Sequence, residues 1–375
     1  MGEDLDIAVR YEDSIPVITA PSIPIDVEEY CDKVPTSDAL SLTATSLFHR
    51  SVSEWGHRAL RTQEAESWLK SLVGSVASAV SGDSDTSQSS SCSTTPRPCV
   101  FVAGLGQKTD YGLSTTDSKP YFGDKFQDYV PCCSSIQYIE LATSLYAWYD
   151  LTLVNELVGY LFQISSSSNA NTKVISDTII FAHSSAKLML AYAISQNLCT
   201  LDSTTTWIGA SAPMIGSMGS DFIQRACDGT LSGVVSSLLE LLDECPVTTG
   251  RISLSYETGS YTSSELKAAY AAAQPAYASN VDAVMCSNGY TGLASSYQAA
   301  YVLGGATISH KSSANDGLVE YQSCAYGLDT ATFSSTYTSK NYVAKLNHQD
   351  CSFRNGDSLF SDSKKPLKWI QNLLS

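Results

Sequence analysis

Charge is what this chain has least of. Only 16% of its 375 residues are Asp, Glu, Lys or Arg, and cations are the scarcer kind, 22 against 38 acids. The resulting net charge of −16 leaves no basic surface to neutralise phosphates, which argues against nucleic acid and anionic membranes as partners. No apolar run is long enough to cross a bilayer, so no transmembrane segment is expected. There are only five histidines, so any imidazole chemistry draws on a short list. Although cysteine is plentiful, no Cys-x-x-Cys pair occurs, and no metal centre is expected.

What is present describes a packed protein. Apolar residues make up 43%, tyrosines number 21, and the length suffices for one large core with insertions. Eleven cysteines are many for a reducing compartment. Cys132 and Cys133 are adjacent, which suits two separate bridges better than one metal. The expectation is a secreted, extracellular chain with up to five disulfides and at least one unpaired thiol. Cys92 and Cys99 would pin a loop locally, and Cys227 with Cys245 would staple a hairpin. Buried reduced cysteines are the alternative. The acidic start, Met1-Gly-Glu-Asp, is no signal peptide and reads as a mature form with an added start codon.

Four prolines before residue 36 give residues 1 to about 35 the character of an extended arm. Thr36 to Val80 is helical in pattern, and Gly82 to Pro98 is a Ser/Thr-rich linker. Residues 1–97 are therefore read as an arm, helices and a linker packed on a main domain, 98–375. In that domain Cys99 to Gln107 reads as a strand running into Gly104-Leu105-Gly106. Ser134 to Ala142 and Thr204 to Ser211 are further strands, and Asp150 to Phe162 is an amphipathic helix. About 218–300 is rich in helix formers and reads as a cap. It includes a helix at Val234 to Leu242 and another begun by the capping box Thr262 to Glu265. Ala306 to His310 and Tyr342 to Leu346 look like late strands.

The most informative stretch lies between Thr178 and Ile194. A short β-type run, Thr178 to Ala182, turns without a loop into a helix apolar nearly all round. At the junction stands Ala182-His183-Ser184-Ser185-Ala186. A serine there is forced into strained backbone, and residues two positions either side must be small because strand and helix nearly touch. The strain lifts the hydroxyl off the sheet, beside the backbone N–H groups that begin the helix.

That junction resembles the nucleophile elbow of the α/β-hydrolases, in the Ala-His-Ser-x-Gly version of secreted lipases, with Ala186 where glycine is usual. Four other stretches carry the resemblance. Gly104-Leu105-Gly106 resembles the lipase oxyanion turn, with Ala103 in place of its histidine. Ala212-Pro213-Met214-Ile215-Gly216-Ser217 is similar to the segment before the lid. Asn315-Asp316-Gly317-Leu318-Val319 resembles the acid loop, although Asn-Asp-Gly is a turn signal in any protein. Asn347-His348-Gln349-Asp350 resembles the loop bearing the base. The order Ser, Asp, His is that of the fold.

The resemblance implies an α/β-hydrolase fold, a mostly parallel sheet flanked by helices with a helical cap. It implies a carboxylic ester hydrolase with Ser184 as nucleophile, Asp316 and His348 as acid and base, and the N–H groups of Leu105 and Ser185 as the oxyanion hole. No metal or organic cofactor is expected. The expected partner is a small or lipid-like ester, with transient contact to a lipid interface through the cap. Of the other histidines, His49 and His57 read as surface residues, His183 as packing and His310 as a structural hydrogen-bonder. Acyl transfer or thioester hydrolysis on the same triad is one rival reading. A non-catalytic secreted binding protein that keeps the fold is another.

Overall fold

The computed structural model of the chain describes residues 8–12, 15–19, 92–228, 245–295 and 297–375. The chain divides into two compact units, 1–83 and 84–375. In the first, β1 (Ala8–Glu12) and β2 (Ile15–Thr19) pair as an antiparallel hairpin within the stretch expected to be an extended arm. The helices expected between Thr36 and Val80, the helix Val234 to Leu242, His49 and His57 lie outside the described residues.

The second unit is built on β3 (Arg97–Val102), β4 (Gly112–Ser114), β5 (Cys133–Glu140), β7 (Ile179–His183), β9 (Thr206–Ala210), β10 (Ala283–Ser287), β11 (Phe333–Ser334) and β12 (Asn341–Ala344). These form one sheet in the order β11-β12-β10-β9-β7-β3-β5-β4, parallel throughout except for β4 at the edge. A separate two-stranded pair joins β6 (Val174–Ile175) to β8 (Thr200–Leu201). Among the described residues the α-helices are α1 (Leu151–Ile164), α2 (Ser185–Ser195), α3 (Met218–Cys227), α4 (Thr249–Ile252), α5 (Ser264–Asn280), α6 (Gln298–Thr307), α7 (Tyr321–Cys324) and α8 (Pro366–Leu373). This is the mostly parallel, helix-flanked α/β-hydrolase architecture that the sequence implied.

Strands covered on both faces must be apolar at every position. Along β3, Val100 and Val102 face α1, α2 and α5, and Cys99 and Phe101 face the other way. β7 divides likewise, with Ile180 and Ala182 on one side and Ile179 and Phe181 on the other. On the second face Phe101, Phe122, Phe126, Phe181 and Phe353 form a cluster of rings. Each such buried ring contributes roughly 1.5–3 kcal/mol. α1 shows why its segment is helical. Leu153, Val154, Leu157, Val158, Leu161 and Ile164 recur at helical spacing, and the Asp150 carboxylate accepts from Thr152 N–H at the N-terminus.

Three expectations change. The stretch read as a cap, about 218–300, contains an inner strand of the sheet, β10, and the helix before it, α5, packs on α2. α5 is a crossover helix between β9 and β10. Its run of helix formers hides the short strand, whose five residues are all buried. The helix starts one residue later than the expected capping box, with Ser263 Oγ accepting from Leu266 N–H. Ala306 to His310 is the end of α6 and the loop after it, because the helix begun at Gln298 runs on through Thr307.

Among the described residues the disulfides are Cys92–Cys132, Cys99–Cys133, Cys227–Cys245 and Cys286–Cys324. Cys132 and Cys133 do serve two bridges, and Cys227–Cys245 is the expected staple. Cys92 and Cys99 do not pin the linker to itself. They tie the entry to β3 onto the start of β5, where parallel pairing already holds the two strands side by side. Cys199 and Cys351 are buried free thiols. No described helix is long and apolar enough to cross a membrane.

Candidate active site

The strand order reverses direction at β3. From there β5 lies on one side, and β7, β9, β10 and β12 succeed one another on the other. Adjacent strand ends leaving in opposite directions open a crevice at the carboxyl end of such a sheet. Ser184 stands in that crevice, one residue past β7.

Its backbone has φ 56° and ψ −129°, a conformation costing about 1–3 kcal/mol for a residue with a side chain. The turn is held by Ser184 N–H donating to Ala210 O of β9 at 2.9 Å. Ala182 and Ala186 are fully buried, as close approach of strand and helix requires. The sharp junction expected from the sequence is therefore present, with alanine sufficient where glycine is usual.

Asp316 lies in the hairpin loop after α6. Asn315 Oδ1 accepts from Gly317 N–H, and Asp316 N–H donates to Val319 O. One oxygen of Asp316, Oδ1, accepts from Leu318 N–H at 3.0 Å and Val319 N–H at 2.7 Å. The other, Oδ2, is 2.7 Å from His348 Nδ1. His348 N–H also donates to Asp316 O at 2.9 Å, so the Asp316 and His348 loops are joined through backbone and side chain together. The carboxylate has only lone pairs to offer, so Nδ1 carries the ring proton. Nε2 then presents its lone pair to Ser184 Oγ, 2.9 Å away. All three side chains are at least nine-tenths buried.

Gly104 follows β3 and lies against the elbow. A Cβ at this position would come within 2.8 Å of His183 O and Ser184 Cβ, and 2.9 Å of Tyr121 Oη. Only glycine lets the backbone pass there. The next residue is Leu105, whose side chain lies against Gly250. Ser185 is the first residue of α2, so its N–H has no acceptor within the helix. The structure thus gathers Ser184, Ser185, Asp316 and His348 at one place, with the Gly104–Leu105 turn alongside.

Two side chains with a part in this geometry escaped the sequence reading. Tyr121 stands between β4 and β5, where no motif was read. Its turn is fastened by Asp117, whose carboxylate accepts from the N–H groups of Tyr121, Phe122 and Gly123. An Asp four residues before an aromatic was the available signal. His183 is more than packing. Its ring hydrogen-bonds Tyr121 Oη at 2.7 Å and His348 O at 3.0 Å. Burial is the first cause holding its pKa well below the usual histidine value, with the neighbouring His348 the second.

The segment Ala212 to Ser217 braces the Asp316 loop. Ser217 Oγ donates to Leu318 O at 2.6 Å and accepts from Gly219 N–H to cap α3. Gly216 has φ 82°, and a Cβ there would run into the Ser255 carbonyl. His310 is indeed a structural hydrogen-bonder, its Nδ1 2.8 Å from Glu320 Oε1 with both groups buried. Among the described residues, no three of His, Cys, Asp and Glu are grouped so as to hold a metal ion.

No family model matches the chain. No curated protein matches it in sequence. Among solved structures it is similar to the mature form of the Bacillus licheniformis lipase BlEst2, at 15% identity and TM-score 0.45 over 71% of this chain and 92% of that one. It is also similar to Staphylococcus hyicus lipase, at 12% identity and TM-score 0.38 over 75% and 95%. Lipase 1 from Pelosinus fermentans matches at 12% identity and TM-score 0.39 over 75% and 98%.

Proposed function

We propose that the chain is a secreted serine hydrolase that cleaves carboxylic esters. One observation carries the reading: the series Asp316–His348–Ser184, joined at 2.7 and 2.9 Å, at the end of the strands where the sheet order reverses. A serine hydroxyl is a poor nucleophile until a base accepts its proton. Ser184 Oγ attacks the acyl carbon as His348 Nε2 takes that proton, and Asp316 stabilises the imidazolium. The N–H groups of Leu105 and Ser185 hold the oxyanion. Collapse expels the alcohol, which leaves with the proton from His348. Water then attacks the acyl-enzyme with His348 again as base, releasing the acid and restoring Ser184.

An apolar acyl group is the proposed preference, supported by exposed apolar side chains on the segments that Leu105 packs against. Leu145, Tyr146 and Ile252 are exposed on two segments joined by Gly250 N–H donating to Ser144 O, and Leu105 packs on Gly250. The four disulfides support an extracellular location. The test is turnover of p-nitrophenyl esters of increasing chain length by the purified chain. The reading predicts hydrolysis that Ser184→Ala lowers by several orders of magnitude. A folded protein that cleaves none of them overturns it.

A further inference from the structure

Three hydrogen bonds run in series from one side of the crevice to the other. Gly104 N–H lies 3.0 Å from Tyr121 Oη, Tyr121 Oη lies 2.7 Å from His183 Nδ1, and His183 Nε2 lies 3.0 Å from His348 O. We infer that Tyr121 and His183 are positioning residues that fix the oxyanion turn and the base loop relative to each other. The inference rests on the hydrolase reading above.

Chemistry sets the direction of every bond. The Gly104 amide can only donate, so the Tyr121 oxygen accepts there, and because the His348 carbonyl needs the ring proton on Nε2, Tyr121 gives its own hydrogen to His183 Nδ1. In the neutral ring Nδ1 then has no proton, and the hydrogen on Nε2 meets the His348 carbonyl, which can only accept. All donors and acceptors are used by one neutral tautomer of His183, and burial, which penalises the charged ring, favours the same state.

Neutrality matters at this spot. The rings of His183 and His348 are 4.9 Å apart between centroids. A charge on His183 would oppose the positive charge that His348 must acquire during acyl transfer.

The series joins the two parts that must be in register. One end is Gly104, whose neighbour Leu105 offers the oxyanion N–H. The other is the backbone of the base itself. A second tie runs beside it, with the Ser352 hydroxyl shared between Tyr121 O at 3.0 Å and Gln349 O at 2.7 Å. Neither Tyr121 nor the His183 ring is hydrogen-bonded to Ser184 Oγ or His348 Nε2, so they act through position alone.

Tyr121→Phe keeps the ring, which packs edge-on against Phe122, and removes only the hydroxyl. Acylation by p-nitrophenyl acetate and labelling by a fluorophosphonate should slow about 10- to 100-fold. KM should stay within about twofold, and the melting temperature within a few degrees, because only position is lost. His183→Gln, which keeps a donor for the His348 carbonyl, should retain about tenfold more activity than His183→Leu, which keeps none. Nitrogen NMR should find His183 neutral, with its proton on Nε2, throughout the pH range in which the enzyme is active. Wild type that takes label while Tyr121→Phe matches its rate overturns this inference and leaves the hydrolase reading standing. So does a His183 proton found on Nδ1. Wild type that neither takes label nor cleaves ester overturns the hydrolase reading first, and this inference with it.

Discussion

Asp316→Asn is the substitution whose outcome follows most directly from the geometry. The carboxylate has no spare lone pair of consequence. Oδ1 serves two backbone N–H groups at 3.0 and 2.7 Å, and Oδ2 serves His348 Nδ1 at 2.7 Å. An asparagine must keep its oxygen on the two backbone donors, since its NH2 would meet them donor to donor. The NH2 then faces His348 Nδ1, which can pair with it only by giving up its proton. The proton moves to Nε2, and the lone pair that should receive the Ser184 hydrogen is gone. Loss of the correct tautomer in a Ser-His-Asp arrangement costs about 10⁴ in kcat, or about 5.4 kcal/mol of barrier at 1.36 kcal/mol per tenfold. The backbone bond from His348 N–H to Asp316 O at 2.9 Å survives, so the fold and KM should change little. Initial rates on a p-nitrophenyl ester, with thermal unfolding of both proteins, measure this. An Asp316→Asn protein that folds and keeps activity within tenfold of wild type refutes the tautomer argument.

Other outcomes follow from single contacts. Gly104→Ala puts a methyl 2.8 Å from both His183 O and Ser184 Cβ, so it must push aside the turn proposed to hold the oxyanion. A 10²- to 10³-fold loss in kcat is expected, and normal kinetics would contradict it. Lys187 is fully buried with its ammonium nitrogen over the Tyr277 ring at 5.2 Å and no hydrogen-bond partner among the described residues. Burial is the main cause holding its pKa well below the usual lysine value. Over the interval between folded and unfolded pKa the unfolded chain binds the extra proton, so wild-type stability should rise as pH rises toward 10.5. Lys187→Met should gain about 1–3 kcal/mol at pH 7 and lose that slope in denaturant titrations; an unchanged slope counts against it. Under denaturing, non-reducing conditions Cys199 and Cys351 should titrate as thiols, and the eight bridged cysteines should not. Finding most of the eleven free would remove the basis for secretion.

The parts of this molecule visible in its sequence are those where local chemistry leaves few alternatives. A strand that becomes a helix across one serine, with alanine two residues to either side, permits one backbone shape, and Ser184 adopts it. Asn315-Asp316-Gly317 dictates its turn through its own side chain. β10 was hidden for the opposite reason. A five-residue apolar strand buried on both faces has no periodicity to separate it from the helix before it, and only pairing with β9 and β12 makes it a strand. Tyr121 and His183 were hidden because their bonds span 17, 62 and 165 residues of chain. No local pattern encodes a contact of that range.

The central claim is that Ser184 is a nucleophile activated by His348. Its most direct test is covalent. The chain is incubated with a fluorophosphonate, digested, and each serine is examined by mass spectrometry while residual esterase activity is followed. The account predicts one phosphonyl group per chain, on Ser184, with activity lost in proportion and no adduct in Ser184→Ala or His348→Ala. Unlabelled Ser184 in a folded, ester-cleaving protein, or equal labelling after His348→Ala, would contradict it.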